Sequence, residues 1–186
     1  MISRIQPYFE CWNCSATKPG IGEGVEWLET EDPVLLVVPE RLLSFWRGAE
    51  PWPSGTDYQR ASAFEGWINM LAIGSGQGLV LAGDPASAGF YQRDEMLSVL
   101  RWFCANNVND LVALAESQIP PKKTEAPVSF VHPGGRLCLI GAADYGPDLG
   151  YQPLTAELAE GSYSVSTCYL ERDETKVLIH RFIRSN

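Results

Sequence analysis

A chain of 186 residues with 45% hydrophobic and 20% charged residues has the balance of an ordinary globular protein, which excludes a largely disordered chain. Lys and Arg number 14 against 23 Asp and Glu, a formal net charge of -9 at pH 7, so the chain repels nucleic acid and anionic lipid and suits a basic protein partner. No apolar run approaches the roughly 18 residues that span a bilayer, and residues 1–10 lack a signal-peptide core; the expectation is a soluble, cytoplasmic protein without membrane contact.

In chain order, residues 1–26 read as an N-terminal extension that packs on the body through Tyr8, Phe9 and Trp12. It carries Cys11-x-x-Cys14, half of a zinc site or a redox pair. A second C-x-x-C or H-x-x-x-H is missing, so neither a metal nor a cofactor is expected. Five cysteines are an odd number, and without a signal sequence the thiols should be reduced, with no disulfide and with Cys104, Cys138 and Cys168 as core thiols. Trp27-Leu28-Glu29 begins a first strand pair, and Glu31-Asp32-Pro33 turns into Val34-Leu35-Leu36-Val37-Val38, an apolar run of the right length for a strand buried on both faces. Pro39 opens a short amphipathic helix whose Leu42, Leu43 and Trp46 share a stripe, and Gly48 stops it. Two prolines and a glycine then hold Trp52 in a stiff loop. Thr56 or Asp57 caps a helix through Tyr58, Arg60 and Ala61, after which Gly74-Ser75-Gly76-Gln77-Gly78 lies between two apolar runs as a hairpin turn.

Gly89-Phe90-Tyr91 fits a short strand, and residues 96–103 are apolar on both faces, compatible with strand or helix. Asn109 caps a clearer helix with Leu111, Val112, Leu114, Ala115 and Ile119 on one face, ended by Pro120-Pro121. The stretch 120–127 is the best candidate for a boundary between two lobes. The rest reads as strands at 128–131, 137–140, 163–170 and 177–183, with a turn at His132-Pro133-Gly134-Gly135, a loop holding Asp144 to Asp148, an apolar stretch at 154–158 and a turn at Glu171-Arg172-Asp173-Glu174. The expected fold is α+β: one strand-rich compact unit, or two similar small lobes, with a few short helices, the longest near 108–119. The pairs Asp57-Tyr58 and Asp144-Tyr145 each precede a strand-rich end, as an internal duplication would place them.

The order V-L-L-V-V-P-E-R-L-L-S-F-W-R-G, then T-D-Y-Q-R-A-S, then L-V-L-A-G-D-P resembles the immunity protein 21 family of bacterial polymorphic-toxin systems. Arg101-Trp102 and Gly161-Ser162-Tyr163-Ser164-Val165 extend the likeness, so that it runs from about Trp27 to Phe182. A cysteine that often follows D-Y-x-R-A in that family is Ser62 here. The resemblance favours a strand at 96–103 and implies a non-enzymatic domain over 27–186 that neutralises one cognate toxin by protein contact.

The residues carry no catalytic signature of their own. The glycine run at 74–78 is followed by a strand rather than the helix a phosphate loop requires, and G-x-S-x-G, H-E-x-x-H and a P-loop lysine are missing. His132 and His180 read as turn and sheet residues. Asp144 and Asp148 form either an acid/base or cation site or a solvated loop, so a small metal- or carboxylate-dependent enzyme using loop acids or the Cys11/Cys14 pair is the alternative. The docking reading rests on the acid-rich stretches and a rigid aromatic loop. Its candidate toxin contacts are Glu29, Glu31, Asp32, Trp52, Asp57, Tyr58, Asp144, Tyr145 and Asp148. Neither the toxin's activity nor the oligomeric state is in the sequence.

Overall fold

The computed structural model describes residues 25–30, 32–51, 55–85 and 87–185. Trp52, Glu31, Cys11 and Cys14 lie outside the described residues, as does most of the 1–26 extension. Among the described residues ten strands form two antiparallel sheets: β1 (Leu35–Pro39), β2 (Ile68–Ile73), β3 (Gly76–Leu81), β7 (Gly135–Gly141) and β8 (Leu154–Leu158) in one, and β4 (Ala88–Arg93), β5 (Met96–Cys104), β6 (Lys123–His132), β9 (Gly161–Arg172) and β10 (Thr175–Arg184) in the other. The first sheet has the order β2-β3-β1-β7-β8 and the second β4-β5-β10-β9-β6. The α+β, mostly β architecture expected from the sequence is the one observed.

Continuous apolar sequence explains the centre of the first sheet. β1 pairs with β3 on one side and β7 on the other, and every one of its residues is buried, because its two faces serve two cores. Leu35 and Val37 point into a central core shared with Leu97, Val99, Val165 and Phe182 of the second sheet, which makes the molecule a sandwich. Leu36 and Val38 point outward, where a 3-10 helix (Glu40–Phe45) and α1 (Asp57–Ser62) cover them with Leu42, Trp46 and Ala61. On the far side of the sandwich α2 (Val108–Ala115), the longest helix among the described residues, sets Leu111 and Leu114 on Leu100, Val177 and Ile179.

Arg101 fastens the two sheets together. It stands fully buried on β5, and its guanidinium donates to the carbonyls of Pro85 (Nε, 3.0 Å), Ala82 (2.8 Å), Pro33 (2.8 Å) and Gly83. Those carbonyls belong to the chain entering β1 and leaving β3, so one planar fork bridges the layers. Burial pulls its pKa down to about 9, opposed by the charge of Asp84, which leaves it protonated at neutral pH.

Several local expectations are corrected. The α2 cap is Asn107 rather than Asn109: its side chain accepts from the Asp110 amide at 2.9 Å, and Val108 is already helical. In place of the expected first strand pair, Leu28 forms an isolated bridge with Ala88 among the described residues. β6 starts at Lys123, five residues before its apolar part, because Lys123 and Glu125 pair with β9 while Glu125 accepts from the Trp67 amide at 2.9 Å. Cys104 is disulfide-bonded rather than a free core thiol; apolar flanks make the two alike in sequence. Cys138 and Cys168 are free and buried.

Candidate functional site

The acids and tyrosines singled out in the sequence converge on the loops at one end of the first sheet. The chain leaving the 3-10 helix is the hub. Trp46 is buried and donates its indole N–H to the Ala142 carbonyl at 3.1 Å, the Ala49 amide donates to Ala143, and the Gly146 amide donates to the Trp46 carbonyl. Gly48 sits at φ +56°, where a Cβ would fall 2.2 Å from the Asp144 carbonyl oxygen, so only glycine allows this crossing.

Three of the acids, Asp32, Asp57 and Asp144, have structural tasks there. Asp57 is 2% exposed and accepts from the Arg47 amide at 2.9 Å and from Arg60 at 2.8 Å, while Thr56 and Gln59 close a capping box around the same turn. Asp144 accepts from the Gly141 amide at 3.0 Å and from the Tyr151 hydroxyl at 2.5 Å. The Tyr58 hydroxyl is hydrogen-bonded to Asp32, which with burial pushes its pKa up to about 12. Tyr151 is pushed up as well, by burial and then by Asp144. Both phenols therefore stay protonated donors. Arg47 lies over the ring of Tyr145 at 5.6 Å.

Glu29, Asp32, Asp144 and Tyr151 line an open cleft of ≈ 610 Å³ beside these loops. Glu29 and Asp148 are exposed. The structure thus unites Asp32 with Tyr58, Asp57 with Arg47, and Arg47 with Tyr145, and it leaves Asp148 outside the cleft. The two Asp-Tyr pairs meet at Arg47, whose amide donates to Asp57 and whose guanidinium lies over Tyr145. The cleft contains neither Asp148 nor a histidine, and among the described residues no group of three or more His, Cys, Asp or Glu is placed to hold a metal ion. No described helix is long and apolar enough to cross a membrane.

This loop-tied sandwich matches a known family: residues 26–176 fit the model of Immunity protein 21. The chain belongs to the Immunity protein 21 family. No curated protein and no solved structure matches it. The family match takes in the whole hub and both sheets up to Lys176, and ends inside β10, earlier than the reach to Phe182 expected from the sequence. Ser62, at the position where the family often has cysteine, is exposed at the end of α1 and donates to the Gln59 carbonyl at 3.4 Å. The Arg101-Trp102 pair has two separate tasks, Arg101 between the sheets and Trp102 under α2 with its ring 5.3 Å from that of Trp27.

Sequence reasoning missed three features. The buried Arg101 fork is hidden in the sequence because a lone arginine in an apolar run gives no sign of four carbonyls gathered from elsewhere. The burial of Asp57 was hidden by its place in a polar turn. A second concave surface, on the outer face of the second sheet, has its signal in the alternation of β5 and β10.

Proposed function

We propose that this chain is an immunity protein that binds a cognate toxin domain and neutralises it by contact, without catalysing a reaction of its own. The observation that carries this reading is the family match across residues 26–176. The net charge of -9 supports a basic toxin, drawn in by long-range attraction. Residues 27–186 form the immunity unit in this reading, and its place of action is the cytosol.

Within that proposal the loop face contributes charge. Glu29 and Asp32 at the cleft, with Asp148 nearby in sequence to Asp144, give it a negative field, while Asp57, Tyr58, Asp144 and Tyr145 hold its shape. Charge of this kind acts on encounter rather than escape. Neutralising Glu29, Glu31 and Asp32 together is expected to slow association and flatten its salt dependence with dissociation nearly unchanged, as read by stopped-flow mixing at two salt concentrations.

The experiment that tests the function is co-expression with the toxin-like product of the neighbouring gene. Growth restored by this chain, and purification of the two as a complex, is the expected result. Toxicity unaffected by the chain overturns the reading.

A further inference from the structure

α2 covers only part of the outer face of the second sheet. Leu100 and Trp102 of β5 lie beneath the helix, and strand alternation places Ser98 and Met96 on that same face further along. Ile179 of β10 sets Arg181 and Ile183 on it in the same way. The register aligns Tyr91, Ser98, Arg181 and Ser166 in one row across four strands. At this row Arg181 donates to the carbonyl of Ala115, the last residue of α2, at 2.8 Å. Beyond it lies a cavity of ≈ 1080 Å³, floored by Met96, Ser98 and Ile183 and walled by residues 116–118 and 157–159.

The features of this groove point outward. Ile183 and Met96 are 50% and 40% exposed, and strand alternation sets both on the part of this face that the helix leaves open. Ser98 is 3% exposed and lines the groove. The arginines at the rim are engaged: Arg93 pairs with Glu116 at 2.9 Å, Arg181 with the Ala115 carbonyl, and Arg184 with the Glu160 carbonyl at 2.9 Å. The lining carboxylates of Asp94, Glu95 and Glu157 are exposed and make no ion pair or hydrogen bond among the described residues. The lining holds four carboxylates (Asp94, Glu95, Glu116, Glu157) against three arginines (Arg93, Arg181, Arg184), a small negative excess, and on a chain of net charge -9 an apolar floor beside exposed rim acids complements a cationic partner with an apolar centre.

We propose that this groove anchors a basic, extended segment of the toxin, with an apolar side chain between Met96 and Ile183 and flanking lysine or arginine side chains on Asp94, Glu95 and Glu157. The proposal rests on the toxin-binding reading and names its point of contact. β4 links the groove to the loop cleft: it begins at Ala88, bridged to Leu28, and ends at Arg93, a run of about 17 Å at the usual strand rise. One toxin domain with an interface of ordinary size spans both.

The test measures surface-based kinetics between the full chain and the toxin domain from the neighbouring gene, silenced at its own active site. Replacing Met96→Glu and Ile183→Glu together is expected to speed dissociation about 30-fold or more, the equivalent of one hot spot. Reversing Asp94, Glu95 and Glu157 to lysine, all at exposed positions, is expected to slow association about tenfold at low salt, and serves alone if the first variant does not fold. Wild-type kinetics for both variants, with binding lost on substituting Glu29 and Asp32, overturn the groove and leave the toxin-binding reading standing. A wild-type chain that does not bind overturns both. A wild-type dimer that the double variant splits, with toxin affinity retained, assigns the groove to a second copy of this chain and overturns the proposal.

Discussion

The loop face and the sheet groove both carry carboxylates, but they use them differently. On the loop face Asp57, Asp144 and Asp32 accept hydrogen bonds from backbone amides, Arg60, Tyr151 and Tyr58. On the groove the arginines hold their own neighbours and the acids at the rim face solvent. The difference teaches that acid density along a chain does not separate acids that tie loops from acids that meet a partner. Hydrogen-bond satisfaction does, because a carboxylate already holding backbone amides loses stability if it turns to a partner.

The comparison is broken most severely at Arg101. Arg101→Met keeps the volume but leaves the buried Ala82 carbonyl and the part-buried carbonyls of Pro33, Gly83 and Pro85 without this donor, so a loss of about 3–5 kcal/mol is expected, read as a large drop in thermal midpoint or failure to fold. Arg101→Lys should recover little, since an ammonium cannot reproduce the fork. A variant that unfolds within a degree or two of wild type would show that the loops around Pro33 and residues 82–85 stand without it.

Gly48→Ala tests the hub. The added methyl meets the Asp144 and Ala143 carbonyl oxygens at 2.2 and 2.4 Å at a left-handed backbone, and about 2–3 kcal/mol should be lost in denaturant unfolding.

Acid should weaken the sandwich through its histidines. His180 is fully buried, with Nδ1 2.9 Å from the Thr167 hydroxyl, and burial, then the charge of Arg101, holds its pKa well below the ordinary value. His132 is shifted the same way, chiefly by burial. The unfolded imidazoles take up protons below about pH 6.5 and the folded ones do not, so stability is complete above that pH and falls as pH drops toward the folded pKa values. The slope is up to about 1.4 kcal/mol per pH unit for each histidine, and His180→Leu should remove its share. The smallest effect belongs to the groove: Ile183→Glu should alter stability by less than about 0.5 kcal/mol, since half of the side chain is already in water.

Local signals explain what was legible. Five apolar residues closed by Pro39 marked a strand buried on both faces, Gly74 and Ser75 marked the β2–β3 turn, and the stripe through Leu42 and Trp46 marked the segment that returns onto β1. What stayed hidden depends on distant partners. The polar start of β6 is a strand only because β9 lies beside it, and Cys104 looks like a thiol until its disulfide is seen. Strand alternation puts Ser98, Arg181 and Ile183 on the face of Leu100 and Ile179, but where α2 stops covering that face is fixed by its end at Ala115.

The most direct measurement is hydrogen–deuterium exchange of the full chain with and without the silenced toxin domain. The account predicts strongest protection at residues 93–98 and 181–184, with weaker protection at 28–33. Protection confined to the loops at 28–33 and 144–151, with the groove exchanging as in the free chain, would contradict it.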